Sequence, residues 1–157
     1  MKQEKHVSDS KTEQVYILHP QHMNTYGRLF GGILMQWIDE IAAIVAKRHA
    51  QCEVTTAAID NLNFKAGASI NDMVVLIAHL TYVGTSSMEV RVDTYTEDLS
   101  GERHSINRAY LIFVAIDKDG HPVKVPGLII ETESEKAEWE GGKKRYELRK
   151  QRRREGY

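Results

Sequence analysis

The stretch "NTYGRLFGGILMQWIDEIAAIVAKRHA", residues 24 to 50, decides the fold of this chain. Three glycines lie near its N-terminal end, and from about Gly32 to His49 the apolar residues recur at helical spacing. Because a helix that is apolar nearly all round must be enclosed by protein, this pattern predicts a central helix. One aspartate, Asp39, falls inside the pattern and needs an explanation.

One strand is predicted before this helix and four are predicted after it. They are "QVYILH" (14–19), "EVTTAAIDNLNF" (53–64), "DMVVLIAHLTYV" (72–83), "SMEVRVDTYTE" (87–97) and "SINRAYLIFVAID" (105–117). Turn-forming residues separate these runs. The order of one strand, one long helix and four consecutive strands predicts an α+β fold with an antiparallel sheet wrapped around one helix.

The flanking segments are polar or charged. We predict a disordered N-terminus over 1–12, one folded domain over 13–127 and a charged helical tail over 128–157, interrupted at Gly141-Gly142. The single Cys52 cannot form an intramolecular disulfide, and no run approaches the roughly 20 apolar residues of a membrane span. The N-terminus also lacks the apolar core of a signal peptide. These features predict a cytoplasmic protein with no membrane partner.

The tail is strongly basic. Residues 143 to 157 hold eight basic residues and two acidic ones, a local net charge of +6, while the whole chain carries −1. A solvated, frayed helix and a segment that contacts phosphate groups or a neighbouring subunit both stay open. Nucleic acid is not a predicted partner, because the body is acidic and its strands lack interleaved aromatic and basic residues.

Asp39 lies on a stripe of small residues along the predicted helix. At about 100° per residue, Leu34, Ile38, Ile41 and Val45 form one face, and Gln36, Glu40 and Lys47 form another. The stripe between them consists of Gly32, Met35, Asp39, Ala42, Ala43 and Ala46. A carboxylate in a partly dry groove suits a general base or a nucleophile, although a surface or ion-paired aspartate fits the pattern as well.

The glycines before the helix suggest a second chemical group. Gly31 and Gly32 are predicted to present unpaired backbone N–H groups at the helix N-terminus, where the helix dipole favours negative charge. Such a position stabilises an oxyanion that develops during acyl transfer.

These residues resemble the acyl-CoA thioesterases of the hotdog fold, in the branch of broad-specificity acyl-CoA hydrolases. The matching stretches are "NTYGRLFGGILMQWID" (24–39), "FKAGASIND" (64–72), "YVGTSSMEVRV" (82–92) and "FVAIDKDGHPVKVP" (113–126). The resemblance implies a homo-oligomer whose smallest active unit is a dimer paired edge to edge, assembled as a trimer of dimers. It also implies hydrolysis of acyl-CoA to CoA and a carboxylic acid.

The resemblance also implies roles for individual residues. Asp39 would be the general base or nucleophile, Asn24 of the facing protomer would hold the attacking water or the carbonyl, and Gly31 or Gly32 would contact the oxyanion. Thr55 or Thr56 would position the water.

The CoA end of the substrate is assigned by the same resemblance. The turn of Gly84, Thr85, Ser86 and Ser87 would lie near its phosphates and pantetheine arm. Thr85 stands where the family commonly has arginine, so cationic partners are expected from Lys65, Arg91 or the basic tail.

Other functional classes have weaker signals. His19 and His22 lack a third metal ligand, so no metal site is predicted, and no G-x-S-x-G elbow supports a serine hydrolase. Hydrolysis of a reactive thioester by a base and an oxyanion site is expected to need no cofactor. A non-catalytic acyl-CoA-binding or regulatory module on the same fold remains the alternative.

Overall fold

The computed structural model describes residues 3–60 and 62–157. Within that part of the chain there are seven strands and three α-helices. In chain order they are β1 (Lys5–His6), α1 (Val7–Ser10), β2 (Thr12–Ile17), α2 (Gly31–Ala50), β3 (Glu53–Asp60), β4 (Met73–Val83), β5 (Ser87–Glu97), β6 (Arg103–Ile116), β7 (Leu128–Ile129) and α3 (Glu133–Glu155).

The central helix α2 forms as its apolar spacing predicts. It ends at Ala50, and the next residue, Gln51, has a left-handed backbone that turns the chain away from the helix. The last turn carries three basic residues that suit the negative end of the helix dipole. Its predicted apolar face is almost fully buried: Leu34, Ile38, Ile41 and Val45. Each such side chain contributes about 1.5–3 kcal/mol through burial, so this face anchors the domain.

Five strands form one antiparallel sheet around α2, in the order β2-β4-β5-β6-β3. The residues that point inward from β4, β5 and β6 pack on the helix in one hydrophobic core. The two edges of the sheet are β2 and β3, and β3 has a bulge between Thr56 and Ala58 in its pairing with β6. The predicted α+β architecture of a sheet wrapped around one long helix is therefore confirmed.

The C-terminal helix α3 lies on the opposite face of the sheet, against β4. It begins with a capping box between Thr132 and Glu135 and continues without a break to Glu155, so the predicted interruption at Gly141-Gly142 is wrong. A Cβ atom on Gly142 would lie 2.6 Å from Cβ of Tyr82. The glycine is thus needed for close packing of the helix on the sheet.

The N-terminus is more ordered than its polar sequence predicts. Residues 5–10 form β1 and α1, and β1 pairs in parallel with β7. Val7 and Ser10 are buried, and the Lys5 ammonium donates a hydrogen bond to the Arg48 carbonyl at 2.7 Å. The prediction of disorder is therefore wrong for residues 3–12, while Met1 and Lys2 lie outside the described residues.

The boundaries of the predicted elements need small corrections. The strand predicted over 53–64 ends at Asp60, and Asn61 lies outside the described residues. The short parallel pair of β1 and β7 has no counterpart in the sequence prediction, because two-residue strands carry no measurable alternation. No helix among the described residues is long and apolar enough to cross a membrane.

Candidate active site

Asp39 is held by a hydrogen bond from the edge strand. The Thr56 hydroxyl donates to Asp39 Oδ1 at 2.8 Å, joining the middle of α2 to β3. Asp39 is half-buried, whereas Ala42 and Ala46 further along the same stripe are fully buried and Met35 before it is exposed. The carboxylate therefore lies where the small-residue stripe passes from solvent into the core.

The structure distinguishes the two candidate threonines. Both threonines are exposed, but only Thr56 donates a hydrogen bond to Asp39. Because successive side chains of a strand point to opposite faces, only one of the two faces the helix. A hydroxyl that donates to one carboxylate oxygen leaves the second oxygen free to accept a proton from water.

The N-terminus of α2 presents its first N–H groups without a capping side chain. Phe30 is the N-cap residue and makes no side-chain cap, and no hydrogen bond from the N–H of Gly31 or Gly32 to another described residue is found. A Cβ atom on Gly32 would lie 2.7 Å from the Phe30 ring. The glycine therefore lets an aromatic ring lie against the start of the helix.

Asn24 stabilises the loop that leads into α2. Its side-chain oxygen accepts hydrogen bonds from the N–H groups of Tyr26 and Arg28, at 2.9 and 3.2 Å. Its amide nitrogen has no acceptor among residues 3–60 and 62–157 in this arrangement. That NH₂ group is thus available to donate a hydrogen bond to a carbonyl or a water.

A cavity of about 290 Å³ joins Asn24 to the start of α2. Its lining includes Asn24, Gly31 and Lys65, with apolar walls from Leu34 and Ile106. Asp39 and Thr56 do not line it. One chain therefore brings the predicted residues together in two separate groups, the Asp39–Thr56 pair and the Asn24–Gly31–Lys65 cavity.

The predicted CoA-binding turn is fixed by backbone hydrogen bonds. The Gly84 N–H donates to the Ser87 carbonyl, and the carbonyls of Thr85 and Ser86 accept from Val125 and Ala115, each at 2.9 Å. Ser86 and Ser87 also border a larger cavity of about 500 Å³ beneath α3. This second cavity lies on the opposite face of the sheet from the core helix.

Arg91 is engaged in ion pairs on that outer face. Its guanidinium pairs with Asp93 at 2.8 Å and with Glu138 of α3, which also binds His79 at 2.6 Å. Burial raises the pKa of Glu138, but the His79 hydrogen bond and the charges of His79 and Arg91 outweigh burial and lower it. Arg91 is thus committed to protein carboxylates, whereas Lys65 is exposed.

The structure also shows residues that the sequence analysis missed. Phe64 approaches the ideal Cβ position of Gly31 to 3.6 Å, and Arg28 lines the Asn24 cavity. Arg28 and Phe64 both stand in the quoted motifs, but nothing in their spacing indicates which way they point. Of the two weak metal candidates, His22 accepts the His19 N–H through Nδ1 at 3.0 Å, so that nitrogen is already used.

The sequence of this chain is similar to those of known thioesterases. The thioesterase superfamily model matches residues 26–101. An uncharacterised acyl-CoA thioester hydrolase of Bacillus subtilis is 43% identical over 128 residues, covering 81% of this chain and 74% of the relative. A cytosolic acyl coenzyme A thioester hydrolase of Rattus norvegicus is 32% identical, covering 89% of this chain and 38% of the relative, so the chain spans well under half of that protein.

Solved structures are similar over nearly the whole chain. A hexameric acyl-CoA thioesterase in the apo state has a TM-score of 0.91 and 39% identity, with 96% of this chain and 97% of that chain covered. The acyl-CoA hydrolase of Staphylococcus aureus in complex with butyryl coenzyme A has a TM-score of 0.90 and 39% identity, covering 96% of this chain and 93% of that one.

Alanine variants of the Staphylococcus aureus enzyme replace an asparagine, an aspartate and a threonine, spaced as Asn24, Asp39 and Thr56 are here. With the fold, the helix stripe and these similarities together, the chain belongs to the acyl-CoA thioester hydrolases of the thioesterase superfamily.

Proposed function

We propose that this protein hydrolyses acyl-CoA thioesters to free CoA and a carboxylic acid, with Asp39 as the general base or nucleophile. The observation that carries the proposal is the Asp39–Thr56 hydrogen bond of 2.8 Å at the boundary between solvent and core. A carboxylate held in one orientation beside a groove is placed to act on a bound thioester. The spacing shared with the replaced residues of the Staphylococcus aureus hydrolase supports the same assignment.

In the general-base route, Asp39 takes a proton from water as the water oxygen bonds to the thioester carbonyl carbon. The resulting oxyanion accepts hydrogen bonds from the N–H groups of Gly31 or Gly32. Collapse of this intermediate breaks the carbon–sulfur bond, and the CoA thiolate takes the proton from Asp39. In the nucleophile route, Asp39 displaces the thiolate itself and water then cleaves the mixed anhydride.

The complete site is proposed to form between two protomers. Asp39 is absent from the lining of the Asn24 cavity, and β3, which carries Thr56, is an edge strand of the sheet. Edge-to-edge pairing through β3 would satisfy its open hydrogen-bonding groups and bring Asn24 of one protomer toward Asp39 of the other. Several similar structures are of hexameric thioesterases, which supports a hexamer built as a trimer of dimers.

The remaining assignments complete the proposal. The Gly84–Ser87 turn and Lys65 hold the CoA portion, and the reaction uses no cofactor because a thioester needs only a base and an oxyanion site. We place the reaction in the cytosol. The similar protein of Rattus norvegicus is a cytosolic hydrolase, which supports this location. Neither nucleic acid nor membrane is proposed as a partner.

Release of free thiol from acetyl-, hexanoyl-, lauroyl- and palmitoyl-CoA tests the activity. We expect turnover of at least one of these substrates, and Asp39→Ala should lower kcat by about a hundredfold or more. Wild-type turnover in the purified variant would exclude Asp39 as the catalytic carboxylate. Tight binding of acyl-CoA without any turnover would favour the alternative, a non-catalytic binding module.

Subunit mixing tests the shared site. Asn24→Ala and Asp39→Ala are each expected to be inactive, yet a mixed dimer contains one site with both native residues. Exchange of subunits should therefore restore part of the activity. Lack of recovery after exchange has been demonstrated by mass would place both residues in the same protomer's site.

A further inference from the structure

The edge strand β3 is attached to a helix on each face of the sheet. On the inner face, the Thr56 hydroxyl donates a hydrogen bond to Asp39 of α2. On the outer face, Asp60, the last residue of β3, accepts a hydrogen bond from the Arg149 guanidinium of α3 at 3.3 Å. The strand that orients the candidate catalytic carboxylate is therefore also bound to the C-terminal helix.

The bulge in β3 makes this double attachment possible. In a regular strand, residues four positions apart point to the same face of the sheet. Thr56 is aligned with Phe113 of β6, which lies in the core. Asp60 is aligned with Tyr110 of β6, whose ring lies against α3. The extra residue of the bulge reverses the alternation between them, so that Thr56 faces α2 and Asp60 faces α3.

Arg149 is itself fixed by the middle of the sheet. Its side chain is 12% exposed and lies 3.5 Å from the carboxylate of Glu89, which is 1% exposed. Arg145 donates two hydrogen bonds to the same carboxylate, at 2.8 and 3.0 Å, and the Thr81 hydroxyl donates another at 2.6 Å. Because Glu89 belongs to β5, the central strand, α3 is anchored there and reaches across the sheet to the edge.

The strand β3 has few other attachments of its own. It is an edge strand whose one hydrogen-bonded neighbour among the described strands is β6, and the bulge interrupts that pairing beside Thr56. All eight of its residues are exposed or half-buried, so burial contributes little to holding it. The ion pair of Asp60 with Arg149 is mostly buried, and salt and solvent screen such a pair less than a surface pair.

We propose that Asp60 and Arg149 are positioning residues for the reaction. Their ion pair holds β3 in the place where Thr56 keeps its hydrogen bond to Asp39. This outer clamp, formed by Asp60, Arg149 and Glu89, acts on catalysis through the Thr56 hydroxyl. Its effect on catalysis rests on the proposed function, whereas its effect on the strand does not.

The first test removes the charge that Arg149 binds. Asp60→Asn keeps the size of the side chain and should lower kcat for hexanoyl-CoA by about fivefold with KM unchanged, because a misplaced base slows the chemical step and not binding. In the Thr56→Val background the same substitution should have no further effect on kcat. Two substitutions that act through one interaction are not additive, whereas independent effects add.

A matched control and a readout without substrate complete the test. Glu53→Gln makes the same change at the first residue of β3, whose carboxylate forms an exposed ion pair with Lys47, and it should leave kcat unchanged. Amide hydrogen exchange, followed by mass spectrometry, measures the opening of β3 directly. Exchange in residues 53–60 should become faster in Asp60→Asn and not in Glu53→Gln, while exchange in α2 should not change in either variant.

A kcat loss that disappears in the Thr56→Val background, together with faster exchange in β3, would support the clamp. Equal kcat losses in both backgrounds would show that Asp60 acts by another route and would overturn the proposal. Unchanged kcat, unchanged exchange in β3 or an equal increase of exchange throughout the protein would overturn it as well. If the wild type hydrolyses no acyl-CoA, the proposed function fails, while hydrogen exchange still decides whether the clamp holds β3.

Discussion

The two faces of the sheet are covered by two helices that are held in different ways. On the inner face, α2 buries an apolar surface in which Ile41 and Val45 are fully inaccessible, and the carboxylate of Asp39 is paired with a neutral hydroxyl. On the outer face, α3 is held by carboxylates and guanidinium groups around the buried Glu89. The sheet is therefore covered by hydrophobic packing on one face and by ion pairs on the other.

This difference separates carboxylates that are free to interact with a substrate from carboxylates that are already paired with arginine. An inner carboxylate without a cationic partner keeps its charge free for a substrate, whereas the outer carboxylates are neutralised by arginines and serve to hold a helix. Asp39 and Glu89 are both acidic residues within a folded layer. Their partners differ: Asp39 accepts a hydrogen bond from Thr56, which fits its proposed catalytic role, whereas Glu89 pairs with Arg145 and holds α3 on the sheet.

The largest expected effect on stability comes from weakening the hydrophobic packing between α2 and the sheet. Ile41→Ala should lower the free energy of unfolding by about 4 kcal/mol, because it removes buried methylene groups and leaves a cavity beside helix α2. Chemical denaturation followed by tryptophan fluorescence measures this loss. A change below about 1 kcal/mol would mean that the core collapses around the smaller side chain.

Removing the ion pairs that hold α3 on the outer face should lower the stability slightly less. Glu89→Ala leaves Arg145 and Arg149 without their buried partner, which should cost about 3 kcal/mol. Glu89→Leu combined with Arg145→Met should cost much less, since a buried ion pair can be replaced by apolar side chains at little loss. Equal destabilisation in the single and double variants would show that the pair itself stabilises the fold.

Removal of the Thr56 hydroxyl tests the orientation of Asp39. Thr56→Val preserves the shape of the side chain but cannot donate a hydrogen bond, so kcat should fall by about tenfold, or about 1.4 kcal/mol in the barrier. Thr55→Val is the matched control on the adjacent residue and should leave kcat unchanged. Equal losses in the two variants would indicate a general effect of valine on this edge strand.

The smallest effect is a pH dependence of the outer contact. The pKa of Glu138 is held below its ordinary 4.5 despite burial, through its bonds to His79 and Arg91. A carboxyl with a lowered pKa stabilises the fold above the pKa of the unfolded state, and this contribution is lost as the pH falls through the folded-state value. The stability difference between the wild type and Glu138→Gln should therefore shrink as the pH falls below 4.5. A constant difference across that range would contradict the role of Glu138.

Much of the inner half of the molecule could be predicted because its signals are local. The apolar spacing of residues 32–49 predicts both the helix and the face that it buries, and the structure confirms the buried positions. The position of Asp39 on a separate stripe follows from the same geometry. Its hydrogen bond to Thr56 does not, because the two residues are brought together by the turn between α2 and β3 and by the β3 bulge.

In the outer half, the amino-acid composition does not show whether the charged C-terminal segment is solvated or packed on the sheet. The sequence of α3 is a run of charges, and the same run fits a solvated tail or a docked helix. The structure shows a docked helix, because Gly142 allows close contact with Tyr82 and Glu89 of β5 is aligned with Arg145. The prediction of a disordered N-terminus is wrong for a related reason, since Val7 lies in α1, which packs against α2 and β4, elements far from it in the chain.

The sequence by itself determined the central helix, the five strands of the large sheet, their order along the chain and the residues whose side chains can take part in chemistry, since periodicity and turn residues act over a few positions. Only the tertiary structure decided which charges are free. Arg91 looks like a cation for CoA in the sequence but binds Asp93 and Glu138, while Arg153 looks like part of a frayed tail but lines a cleft. The physical reason is that charge compensation depends on distances between residues far apart in the chain, which local sequence patterns do not encode.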